Sequence, residues 1–225
     1  YFDHSSWMLP LIEGLVRRGV RVIVYDLPGH GLSTGERGKI QSFQVYSEVF
    51  QDIYKRFHDP LLAEYFFGFS TGCVGWIDWA LLRQQSLGAP PQFESIFLFA
   101  PLVKIMAQDL TKLTQWIGPL IDYQFPRKPS KRVIKDPLAL MSVNTSWLGA
   151  LMEWGEELKF STPDVSQPVQ YWSGGCDLTV DWHYSRRFLR DHLNLKEKIF
   201  PRAGHRIIDN QKVMREFFSF CDKLF

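Results

Sequence analysis

The sequence predicts an α/β protein, a mostly parallel sheet flanked by helices and interrupted by an inserted helical cap. Three observations carry this. Short β-rich runs alternate with segments of helical periodicity, the first run closes in Gly- and Pro-rich turn chemistry, and about 65 residues between two of the runs exceed an ordinary crossover.

Val20–Tyr25 is mostly β-branched and ends in Asp26-Leu-Pro-Gly-His-Gly31, which predicts a buried strand. From Ser42 to Phe57 the apolar residues Phe43, Tyr46, Phe50, Ile53 and Phe57 recur near helical spacing, so this segment predicts an amphipathic helix. Tyr65–Phe69 predicts a strand, Cys73–Arg83 a helix and Ser95–Ala100 the next strand. Beyond the long insertion, Val169–Trp172 and Lys198–Phe200 predict further strands, and Asn210–Phe225 a closing amphipathic helix. The organisation is therefore a core, 1–102, a cap insertion, 103–166, and the second part of the core, 167–225.

Composition narrows the function. Among 225 residues, 26 Lys+Arg face 24 Asp+Glu, so net charge nominates no polyanionic partner and argues against a nucleic-acid binder. Hydrophobic residues at 45% and charged residues at 22% exclude long disorder. The three cysteines, Cys73, Cys176 and Cys221, are an odd count without metal-ligand spacing, so neither a disulfide scaffold nor a zinc site is indicated; no cofactor is expected. The charge-free stretch from Pro137 to Met152 is too short and too polar to span a bilayer.

Gly68-Phe-Ser-Thr-Gly72 matches G-x-S-x-G, with a strand expected before it and a helix after it. That context suits a nucleophile: a strained strand-to-helix turn lifts the Ser70 hydroxyl above the sheet edge, and small neighbours allow so sharp a turn. The helix N-terminus would then offer the Thr71 N–H to a developing oxyanion. A serine needs a base, and the base an acid to orient it. His205, in Pro201-Arg-Ala-Gly-His205 after the last strand, is the candidate base. Asp177, in Ser173-Gly-Gly-Cys-Asp177 after the preceding strand, is the candidate acid; Asp181 is its rival and fits better as the cap of the next helix. His30 is expected to brace the Pro28–Gly31 loop, and His58, His183 and His192 to pack or face solvent.

Asp26-Leu-Pro-Gly-His-Gly-Leu-Ser33, Gly68-Phe-Ser-Thr-Gly72, Gly175-Cys-Asp177 with Val180-Asp181, and Gly204-His205 together resemble the α/β-hydrolase superfamily, in its lysophospholipase and monoacylglycerol-lipase-like branch. The resemblance implies the α/β-hydrolase fold and a serine carboxylic ester hydrolase. It implies that Tyr1 donates the second oxyanion N–H, and that a His-Gly pair and further strands precede Tyr1. In the cap, Trp116, Trp147 and Leu151 are candidate acyl-chain contacts, with packing onto the main domain as the alternative. The basic run Arg127, Lys128, Lys131, Arg132 and Lys135 either meets anionic headgroups or forms a solvated loop. The expected partner is a small-molecule or lipid ester, with peripheral membrane contact through the cap and a cytoplasmic location. Thioesterase, peptidase or acyltransferase chemistry would use the same triad, and a noncatalytic binding protein could use the same fold.

Overall fold

The computed structural model describes residues 1–106, 123–126, 131–161 and 165–225, with residues 131 and 132 as backbone alone. Trp116, Arg127 and Lys128 lie outside the described residues.

Helix α1, Leu9–Val16, opens on Leu9-Pro10, where proline suits the first turn because its missing N–H would be unpaired there. Helix α2 spans Gln44–Phe57 and strand β1 Tyr65–Phe69. A 3₁₀ turn at Ser70–Cys73 leads into helix α3, Val74–Leu82, and strand β2 is Ser95–Phe99. Within the cap, strands β3, Gln124–Pro126, and β4, Ser142–Asn144, pair antiparallel, and helix α4 covers Thr145–Leu158. Strand β5 is Pro168–Gly174, helix α5 Trp182–His192, strand β6 Asn194–Phe200 and helix α6 Gln211–Cys221. Three helices carry side-chain caps: Asp181 takes its expected place and accepts from Tyr184 N–H at 3.0 Å, Asn144 accepts from Ser146 N–H at 2.7 Å, and Asn210 from Lys212 N–H at 3.0 Å.

Strands β1, β2, β5 and β6 lie side by side in that order, all parallel, in registers that include Phe69 with Phe99 and Phe99 with Trp172. A parallel sheet needs both faces covered, and alternation along β2 supplies two cores. Ile96 and Leu98 join Tyr46, Trp76, Leu151 and Val169 on one face; Phe97 and Phe99 join Trp172, Phe217 and Cys221 on the other. Phe217 is fully buried, with its ring 5.3 to 6.0 Å from those of Phe67, Phe97, Phe99 and Trp172. Phe217→Ala should therefore cost about 3–5 kcal/mol of stability, read as a lower denaturant midpoint at unchanged slope.

Val20–Tyr25 does not form the expected buried strand. The segment has no ladder partner among the described residues, and Ile23 and Val24 are 42% and 47% exposed. This segment and β1 both line a cavity of about 1200 Å³, and β-branched propensity without a ladder partner makes no strand.

The cap helix α4 belongs to the main core. Trp147, Leu151, Trp154 and Leu158 share one face at helical spacing and are all buried. Trp147 Nε1–H donates to the Tyr46 hydroxyl at 3.0 Å, and Trp154 Nε1–H to Asp78 Oδ1 at 2.9 Å. Asp78 is fully buried in α3, where it also accepts from Ser47 Oγ and, at 3.3 Å, from Arg83; Arg83 in turn meets Glu157 of α4. No helix among the described residues is long and apolar enough to cross a membrane.

Candidate active site

All four parallel strands end at the same sheet edge, and three of the turns beyond them converge there. Ser70 follows β1, Asp177 lies three residues after β5, and His205 five residues after β6. Ser70 sits at φ +52°, in the left-handed region that a non-glycine residue adopts only when its surroundings hold it there. The turn is also tight: a Cβ at Gly68 would lie 2.8 Å from Cys73 Cα, which explains glycine before the serine. Gly72 differs, because a Cβ there would meet nothing within 4 Å, so close contact accounts for only the first glycine of the motif. Gly174 serves the acid and histidine loops together; a side chain there would press to 2.3 Å from the Ala203 carbonyl oxygen.

The structure brings Ser70, His205 and Asp177 into one hydrogen-bonded line. His205 Nδ1–H donates to Asp177 Oδ2 at 2.8 Å, which leaves Nε2 to accept from the Ser70 hydroxyl at 3.0 Å. The Asp177 side chain is fully buried, while that of His205 is 17% exposed. Asp177 Oδ1 accepts from the backbone N–H groups of Thr179, 2.8 Å, and Val180, 3.0 Å. These two donors keep the carboxylate satisfied without water and turn its other oxygen toward the imidazole. Asp181 does not enter this line and occupies its capping position in α5.

Thr71 is buried at the start of the 3₁₀ turn, and the Tyr1 nitrogen donates to its Oγ1 at 2.6 Å. The loop carrying Tyr1 is held by Asp26, whose carboxylate accepts from Ser5 N–H at 2.6 Å and Leu32 N–H at 2.9 Å. Burial pushes the Asp26 pKa upward, but the hydrogen bonds from Leu32 and Ser5 outweigh it and the net shift is down. The role of Asp26 escaped sequence reading, although its place before a Pro-Gly turn marks a loop-bracing carboxylate. His30 is buried, its Nδ1 2.9 Å from the Pro28 carbonyl, and burial drives its pKa down to about 4. The neighbouring Cys73 thiol is fully buried and its pKa raised by that burial, so it offers no rival thiolate.

Residues 1–212 match the family described as serine aminopeptidase, S33. The chain belongs to this family. No curated protein matches it. Among solved structures, a Paleococcus ferrophilus monoacylglycerol lipase is similar over 99% of this chain and 90% of its own, with 21% identity and a TM-score of 0.77. A soluble variant of Saccharomyces cerevisiae monoglyceride lipase, bound to a substrate analogue, is similar over 100% of this chain and 82% of its own, with 16% identity and a TM-score of 0.76. A thermostable carboxyl esterase from Bacillus coagulans gives 99% and 86% coverage, 16% identity and a TM-score of 0.73. These likenesses show the α/β-hydrolase fold, and the family includes this chain in it.

Of the expected acyl-chain contacts, Trp147 lines the cavity that opens at Ser70. Leu151 does not: it is fully buried in the core, one helical turn from Trp147, on the face that packs against the main domain. Leu148, buried in the same core cluster, also lines the cavity. Apolar content marks all three alike, and only the rotation of α4 separates them.

Proposed function

We propose that the protein is a serine ester hydrolase that cleaves a lipid-like carboxylic monoester, a lysophospholipid or monoacylglycerol, through an acyl-enzyme. The observation carrying this reading is the Ser70–His205–Asp177 line opening onto a cavity walled by Leu102, Val143, Trp147, Leu148 and Val180. In this reading Ser70 Oγ attacks the ester carbonyl as His205 Nε2 takes its proton. Asp177 holds the imidazole orientation and stabilises the imidazolium. The Thr71 N–H and the Tyr1 nitrogen hold the oxyanion, the carbonyl–alkoxy bond breaks, and His205 returns the proton to the leaving alcohol. Water then attacks the acyl-enzyme by the same route and frees the fatty acid.

The family description favours a second reading, an aminopeptidase, which would need an unengaged carboxylate to receive the substrate's ammonium. Of the carboxylates that line the cavity among the described residues, Asp3 has its charge paired with Arg206 through Oδ2, though its buried Oδ1 has no hydrogen-bond partner, Asp26 is held by two backbone N–H groups, and Glu64 by His58 at 2.8 Å. This supports the ester reading. Turnover of p-nitrophenyl esters of graded chain length, set against aminoacyl p-nitroanilides, tests the choice; faster anilide cleavage would reverse it.

The cavity walls give a further expectation. Trp147→Ala with Leu148→Ala should weaken decanoate hydrolysis more than acetate hydrolysis, since each methylene that loses its contact forfeits about 0.8 kcal/mol, close to fourfold in kcat/KM. Leu151→Ala should instead destabilise the fold by about 2–5 kcal/mol and leave the chain-length profile in place. Equal losses on both esters for the double variant would remove Trp147 and Leu148 from the acyl wall.

A further inference from the structure

The backbone from Ala100 to Met106, which leaves β2 and leads into the cap insertion, touches both halves of the site. Leu102 N–H donates to the carbonyl oxygen of Ser70 at 3.2 Å, pairing the carbonyl of the one strained residue in the turn. Three residues on, Ile105 forms an isolated antiparallel bridge with Val180. Asp181 N–H to Lys104 C=O at 2.8 Å and Met106 N–H to Thr179 C=O at 3.1 Å close that bridge. Thr179 and Val180 are the residues whose own N–H groups grip Asp177 Oδ1. One continuous backbone thus runs from the nucleophile's carbonyl to the loop that aims the acid. Leu102, Val103 and Val180 are each at most 2% exposed, so the middle of this path is dry.

We infer that Ala100–Met106 is a positioning strap, which holds the Asp177 loop in register with the Ser70 turn through backbone hydrogen bonds; this rests on the serine-hydrolase reading above. Parallel strands fix where β1 and β5 end. Asp177, though, lies three residues beyond Gly174, and its orientation depends on what the Thr179–Val180 peptide units are tied to. The strap supplies that tie from the same segment that caps the Ser70 carbonyl. Misplacement on the ångström scale at such a site costs about a hundredfold in rate.

The Met106 N–H is the accessible handle, since the Met106 side chain is 51% exposed and the residue before it is in a β-bridge, where a following proline is tolerated. Met106→Pro deletes the donor. An α-hydroxy acid at position 106, replacing the amide N–H by an ester oxygen, makes the same deletion without a ring and carries the test should the proline variant fail to fold. The readouts are the rate of Ser70 labelling by a fluorophosphonate and kcat/KM for a short ester across pH. Both backbone deletions should slow labelling about ten- to a hundredfold. They should also move the acid limb of kcat/KM to lower pH by about half a unit or more, because a misaligned carboxylate stabilises the imidazolium less.

The other charged groups near His205 and the strap are engaged apart from this bridge. Arg206 is paired with Asp3 and Asp209, Lys104 Nζ stands 5.3 Å from the Tyr184 ring centroid, and the Asp181 carboxylate caps α5. Met106→Ala, which keeps the N–H, should keep the wild-type pH profile. If the wild-type protein is not labelled at Ser70, the hydrolase reading falls and the inference with it. Wild-type labelling with unchanged rate and pH profile in the backbone deletions would overturn the strap alone. A slower rate with an unmoved acid limb would likewise overturn it, since that is general loosening without effect on Asp177.

Discussion

Ser70→Ala is expected to lower kcat for ester hydrolysis about a thousandfold or more while the protein remains folded. The hydroxyl makes one interaction that matters here, its 3.0 Å hydrogen bond to His205 Nε2, and alanine removes the attacking atom without adding bulk to a buried turn. Alanine at this position must still adopt the φ of +52° that serine already bears, so the backbone strain is unchanged in kind. Steady-state turnover of a short p-nitrophenyl ester, with a thermal melt as the control for folding, decides it. Near-normal turnover by pure, folded variant would end the nucleophile assignment.

Asp177→Asn should reduce kcat by up to about ten-thousandfold, and the hydrogen bonds show why the loss would be so large. Oδ1 accepts from Thr179 and Val180 N–H, so asparagine must keep its carbonyl oxygen on that side. Its NH₂ then faces His205 Nδ1 as a donor. The imidazole answers with the other tautomer, protonated on Nε2, and loses the lone pair that should take the Ser70 proton. Asp181→Asn keeps an oxygen for Tyr184 N–H at the start of α5, and asparagine is as good a helix cap as aspartate, so activity should fall little. Folded variants with the reverse ranking would move the acid role to Asp181.

The residues that form the hydrogen-bonded line were legible in the sequence because each lies in a short local pattern. Ser70, Asp177 and His205 each follow a β-rich run, and parallel strands put all such endings on one edge of the sheet. The heights of the walls around them were not legible. Leu148 and Leu151 are the same residue type three positions apart on one helix and both are buried in the core, yet only Leu148 also lines the cavity, a distinction set by how α4 is rotated through its bonds to Tyr46 and Asp78.

Local propensity also misjudged Val20–Tyr25. Its residue types are those of a strand, but a strand exists only where a second backbone lies about 4.8 Å away to accept and donate, and among the described residues none pairs with it. The same distinction separates the acid from its grip: chain order marks Asp177, whereas the N–H groups of Thr179 and Val180, and the strap bonded to them, belong to backbone whose pairing no side chain announces. The fold class, the family and the side chains brought together at the sheet edge follow from residue order, because side-chain chemistry and period are local. Tertiary structure alone decided which apolar faces meet the cavity and which backbone groups hold the site in register, because both depend on contacts between segments far apart in the chain.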